Sequence, residues 1–106
     1  MEDVMIITIE EKEYKFEFDR KRIIKAEEVY AVNLSEIKNR IVSQSYRVWC
    51  AGLDKNHSNV SVEARMDLYD KYNAETGKSM EVVGFLIERI ASFINPTQAN
   101  TVEENE

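Results

Sequence analysis

The sequence predicts an α+β domain, mostly helical: an N-terminal β-hairpin followed by about four α-helices. Three observations carry that prediction. The hydrophobic period changes at Asp19 from two residues to about 3.6, the spacings of strand and helix. Three glycines and one proline, Pro96, are too few for a turn-dense β-sandwich. Helix-capping residues stand ahead of successive periodic stretches, at Asp19, Ser35, Ser61 and Ser79. At 106 residues, 43% hydrophobic and 32% charged, the chain supplies one core and no more.

The hairpin comes first. Val4–Ile9 is rich in β-branched residues, and Tyr14–Phe18 alternates strictly, placing Tyr14, Phe16 and Phe18 on one face. Glu10–Glu13 forms a polar turn between them. Glu11-Lys12 is not a favoured tight-turn pair, which leaves the turn type open. Two strands alone are marginal in water, so the aromatic face must lie on helices or on another chain. Asp19 caps a first helix from Arg20 to about Ala31, with Ile23, Ala26 and Tyr30 inward, and Asn33-Leu34 breaks it. Ser35 is expected to cap a long second helix, Glu36 to about Leu53, with a buried stripe of Ile37, Ile41, Val48, Trp49 and Leu53. Gly52 and the run Asp54–Asn59 end it. Ser61 caps a third helix with Val62, Met66, Tyr69 and Tyr72 inward, and Gly77 suits a left-handed C-cap. Ser79 caps a fourth, Met80 to Ile94, with Val83, Leu86, Ile87, Ile90 and Ile94 inward, stopped by Asn95-Pro96. Residues 1–95 read as one domain and residues 96–106 as a disordered acidic tail.

Composition mostly subtracts functions. The net charge of −6, concentrated after residue 60, disfavours nucleic acid and anionic membranes as partners. No apolar run approaches the roughly 20 residues of a membrane span. Met1-Glu2-Asp3 is acidic where a signal peptide is basic. Cys50 is the only cysteine, which excludes an intrachain disulfide and favours a reduced cytoplasmic setting. One Cys and one His, His57, cannot make a zinc site. A Cys50–His57 nucleophile pair would need the loop to fold back across a helix end, and Cys50 beside Trp49 reads more simply as core. Gly52, Gly77 and Gly84 are too far apart to cradle phosphate, and Glu10-Glu11-x-Glu13 lacks the calcium-loop pattern. No cofactor and no enzymatic constellation is expected. The sharpest charge feature is Arg20-Lys21-Arg22 with Lys25, where positive charge in a first helical turn opposes the helix dipole. It reads either as a solvated face neutralised by Asp19, Glu27 and Glu28, or as a contact patch for an acidic partner.

Three stretches carry a family resemblance: Glu-Tyr-Lys-Phe-Glu-Phe-Asp at Glu13–Asp19, Arg-Lys-x-Ile-x-Lys-Ala-Glu-Glu at Arg20–Glu28, and Lys-Asn-His-Ser-Asn-Val-Ser-x-Glu at Lys55–Glu63. With the final helix they span roughly residues 5–95. In combination the chain resembles the small tail assembly chaperones of long-tailed phages and prophages of Gram-positive bacteria. The resemblance implies a non-enzymatic protein of the host cytoplasm. It would coat the tape measure protein, keep its hydrophobic stretches soluble, recruit tail tube subunits and be absent from the finished virion. It also implies self-association into rings or spirals. The different-class alternative is a small acidic regulatory protein, antitoxin-like or a nucleic-acid mimic. Glu63, Asp67 and Asp70, at i, i+4 and i+7, form its one acidic stripe, interrupted by Arg65 and Lys71.

Aromatic side chains are the usual anchors of interfaces. The expected client surface therefore combines Tyr14, Phe16 and Phe18 of the hairpin with Phe85 and Phe93 of the last helix, and the Arg20, Lys21, Arg22, Lys25 patch stands next in line. The competing expectation is that the aromatics are simply core.

Overall fold

A computed structural model describes residues 3–94. Strands β1 (Val4–Ile9) and β2 (Lys12–Glu17) pair antiparallel, with Ile9 opposite Lys12 and Met5 opposite Phe16. Four helices follow: α1 (Arg20–Glu28), α2 (Ile41–Gly52), α3 (Val62–Thr76) and α4 (Ser79–Ile94). The α+β, mostly helical architecture is as the sequence predicts. The expected tail and the Asn95-Pro96 stop lie outside the described residues.

The hairpin turn is tighter than the sequence indicated. β2 starts at Lys12, and Glu10 and Glu11 alone make the connection, with φ of 52° and 69°. Positive φ at both central residues gives the twist that two-residue hairpins need, a conformation glycine and asparagine adopt more cheaply than glutamate. The aromatic face goes inward: Phe16 is fully buried, with its ring centroid 4.7 Å from that of Trp49 in an edge-to-face arrangement.

α2 is the central element and packs against α1, α3 and α4. Val48, Trp49 and Leu53 are fully buried. Trp49 places its ring edge-to-face on Tyr69 at 5.1 Å, and its Nε1 donates to the Arg65 carbonyl at 2.9 Å. Gly52 is required by close approach: a Cβ there would stand 2.7 Å from Leu86 Cδ1 and 3.2 Å from Phe16 Cδ2. The glycine lets α2, α4 and the hairpin meet at one point.

Two expected elements change. α1 ends at Glu28, and Ala31 adopts φ +59°, turning the chain before Asn33. The long second helix is split. Ser35 does not cap it, because its amide and hydroxyl are both taken by Asn33 Oδ1, at 3.0 and 2.6 Å. A single 3-10 turn, Leu34–Glu36, results, and α2 begins only at Ile41. Buried Gln44 holds this linker: its Oε1 accepts from the Asn33 amide at 2.9 Å and its Nε2 donates to the Ala31 carbonyl at 3.4 Å. The break removes the i, i+4 relation between Ile37 and Ile41, and Ile41 is exposed. The caps at Asp19 and Ser61 form as expected, accepting from the amides of Arg22 and Ala64. Gly77 closes α3 at φ +70°. Ser79 lies inside α4 and donates instead to the Tyr69 carbonyl at 2.8 Å.

Candidate binding groove

The inner face of α3 is shifted from the predicted one: Tyr69 and Tyr72 pack against the core as expected. Val62 and Met66 are exposed, while Arg65 and Leu68 are buried. Arg65 causes the rotation. Its side chain is only 4% exposed, and its guanidinium donates to Val60 O at 2.8 Å, Cys50 O at 2.9 Å, the Tyr30 hydroxyl at 2.6 Å and Ser58 O at 3.4 Å. A charge is buried only when this well satisfied. With Arg65 fixed inward, Met66 stands about 100° round the helix from it and Val62 about 60°, both on the flank opposite Leu68, and both are left exposed.

Asp54 completes the network. It is buried just beyond the end of α2, where the sequence indicated a polar loop. Its carboxylate accepts from Lys25 Nζ at 3.0 Å and the Tyr30 hydroxyl at 2.8 Å, with Arg22 Nε at 3.4 Å and Arg65 Nη1 at 3.8 Å. Burial works against this charge. The hydrogen bonds from Tyr30 and Lys25 and the charges of Lys25 and Arg65 together outweigh it and hold the pKa below the usual carboxylate range. Two members of the expected basic patch, Arg22 and Lys25, are thus turned onto Asp54, and Arg20 and Lys21 remain exposed. The dipole mismatch at the start of α1 was the one sequence signal that these cations needed a partner. Nothing marked Asp54 as that partner.

The network fixes the walls of a groove of about 470 Å³ on the outer side of α2. Ser43 and Cys50 form its floor, Val29 and Tyr30 one wall, and Val62 and Met66 the other. Val29 is 65% exposed, Val62 49% and Met66 38%. Tyr46 lines the α3 side, its hydroxyl bonded to Asp70, which pushes the phenol pKa up to about 12. Arg47 lines the α1 side, its Nη1 3.5 Å from the Ala31 carbonyl. From Ser43 to Cys50 the floor runs about 10 Å, two helical turns. The Cys50 thiol is buried, and burial pushes its pKa up to about 11, which keeps it protonated and unreactive at neutral pH. A second concavity, between α1, the 3-10 turn and α4, runs to Ile94, where the described residues end.

The aromatic candidates divide. Tyr14, Phe16 and Phe18 are core residues, at 8%, 0% and 4% exposure, and cannot meet a client without unfolding the hairpin. Phe85 is half-buried against the core. Phe93 alone is exposed, with the Arg89 guanidinium 5.6 Å from its ring centroid. His57 is half-buried, and its Nε2 accepts from the Lys15 amide at 2.9 Å, closing the outer edge of β2. Burial, and then the charges of Lys12 and Arg65, lower its pKa.

Among the described residues no group of three or more His, Cys, Asp or Glu could hold a metal ion, and no helix is long and apolar enough to cross a membrane. The chain matches no protein-family model, no curated protein and no solved structure.

Proposed function

We propose that this chain is a non-enzymatic binding protein that shields an apolar segment of a client, acting as a phage tail assembly chaperone on a tape measure protein. The observation that carries the reading is the groove: aliphatic walls left open to water on a strongly acidic chain. A concave site lined mainly by apolar side chains is the usual form of a binding site, and its cost in solubility is offset here by net charge −6. The resemblance at Glu13–Asp19, Arg20–Glu28 and Lys55–Glu63 supplies the client's identity, along with the tail tube protein as second partner and the host cytoplasm as the place of action. The client-binding residues move from the hairpin aromatics to Val29, Val62 and Met66.

The reading expects a tape measure protein to be encoded downstream of this gene, and the test is co-expression with that protein. This chain is expected to keep that protein soluble, and Met66→Asp, at an exposed position, is expected to lose the effect with an unchanged melting temperature. If the tape measure protein precipitates equally with and without the chain, the chaperone reading is wrong. If Met66→Asp still rescues, the client docks elsewhere.

A further inference from the structure

We infer that the groove takes an amphipathic α-helix of a partner protein, with a basic flank lying along α3; this rests on the groove being the binding surface proposed above. The groove fits a helix in shape. Its floor residues, Ser43 and Cys50, are small enough for a backbone to come close, and its length matches two turns. Met66 is a flexible wall that adapts to different aliphatic side chains.

The groove is also asymmetric in charge. At 100° per residue along α3, Asp70, Glu63 and Asp67 come successively further from the core than Val62 and Met66, so they form a ridge along that rim. All three are exposed, and the Tyr46 hydroxyl ties Asp70 to the groove edge. The cations nearby in sequence do not neutralise the ridge. Arg65 is turned into the core network, and Lys71 reaches Glu10 at the hairpin turn, at 3.3 Å. The cation lining the groove, Arg47, lies toward the opposite wall, beside Ala31. A helix whose Lys or Arg side chains face α3 and whose acidic or neutral side faces Arg47 meets opposite charge on both flanks. The reversed placement meets like charge on both. Such complementarity sets orientation and partner choice.

Two synthetic helical peptides test this. Both carry the same Leu stripe at i, i+4 and i+7, one with Lys and one with Glu along one flank. Fluorescence anisotropy at low salt is expected to show the Lys peptide binding about tenfold more tightly, with the gap closing at high salt as the charges are screened. The Glu63→Lys/Asp67→Lys variant, changed only at exposed positions, is expected to reverse the preference. Circular dichroism checks its fold. Equal binding of both peptides, unaltered in that variant, overturns the charge inference and leaves the groove reading standing. If neither peptide binds while Met66→Asp still abolishes tape measure solubilisation, the occupant is not a helix of this kind, and the inference falls alone. If neither binds and Met66→Asp changes nothing, the groove reading falls with it. A dimer seen by sedimentation and abolished by Met66→Asp assigns the groove to a second copy of this chain and overturns the partner helix.

Discussion

The side of α2 that meets the hairpin and α4 is dry. The side that meets α1 and the start of α3 is polar. On the dry side, Phe16, Trp49, Leu53, Val83 and Leu86 interlock without a charged group, closely enough that Gly52 has no room for a methyl. On the polar side, one carboxylate and a buried guanidinium hold three segments together, and the surface above them stays open. The difference is one of kind. Apolar packing stabilises by area and tolerates small shifts. A buried ionic network stabilises only in its full geometry, and it fixes direction. Here it decides which face of α3 turns inward and therefore where the groove lies.

The largest expected effects break each side in turn. Phe16→Ala removes the ring that fills the space between Trp49 and Gly52, and a cost of about 4 kcal/mol in urea unfolding is expected. Asp54→Asn leaves Arg65 buried without its counter-charge, at a cost of about 3 kcal/mol. The two sides differ most clearly in how a second change combines with the first. Adding Arg65→Met to Asp54→Asn is expected to cost less than the two single changes summed, since the second removes the charge that the first leaves unpaired, although the Val60 and Cys50 carbonyls lose a donor. No second substitution of that kind restores the cavity left by Phe16→Ala. If the double variant is as unstable as the sum of the single ones, Asp54 and Arg65 are not energetically coupled.

A smaller effect joins the two sides through His57. Its Nε2 must be unprotonated to accept from the Lys15 amide, and its folded pKa lies below the ordinary 6.5. The unfolded chain therefore binds the proton more readily than the folded one. The stability contributed is fully present above about pH 6.5 and is lost as pH falls toward the lowered folded value. Asp54, Glu17 and Asp19, all held below their usual values, add a second loss further into acid. His57→Gln, which keeps an acceptor without titrating, is expected to remove the first step and spare the second. Melting temperature measured from pH 7.5 down to 3.5 separates them. A first step that persists in His57→Gln would assign it to another group.

The smallest expected effect is a gain. Glu11→Gly relieves the φ of 69° in the hairpin turn, for about 0.5–1 kcal/mol of added stability. Glu10, which holds Lys71 away from the acidic rim of α3, is kept in this variant, so peptide binding is expected to be unchanged.

The hairpin pairing, the caps at Asp19 and Ser61, the left-handed Gly77 and most of the α4 core face were legible in the sequence. Each is set by neighbours a few residues away: alternation, a capping oxygen, a residue without a Cβ. The break between α1 and α2 was not legible, because Gln44 and Asn33 act across eleven positions, and a mid-helix glutamine carries no signal of burial. Nor was the start of the inward face of α3: Tyr69 and Tyr72 pack on the core as the spacing assigns, but Arg65 goes inward in place of Val62 and Met66, and periodicity assigns a charged residue to water.

Local pattern accounts for the fold class, for the order of the hairpin and four helices, and for an acidic chain with apolar residues beyond what its stripes require. Only the tertiary structure decided which of those residues are left outside. It buried Tyr14, Phe16 and Phe18, which looked like interface anchors, and exposed Val62 and Met66, which looked like core. The physical reason is that local pattern is blind to a charge pair made in space. Asp54 and Arg65 are separated in sequence and hydrophilic one at a time. Inside the protein they stand 3.8 Å apart in one network, Asp54 bonded to Lys25 and Tyr30 and Arg65 to Tyr30 and the Val60 and Cys50 carbonyls, and α3 turns to admit the guanidinium.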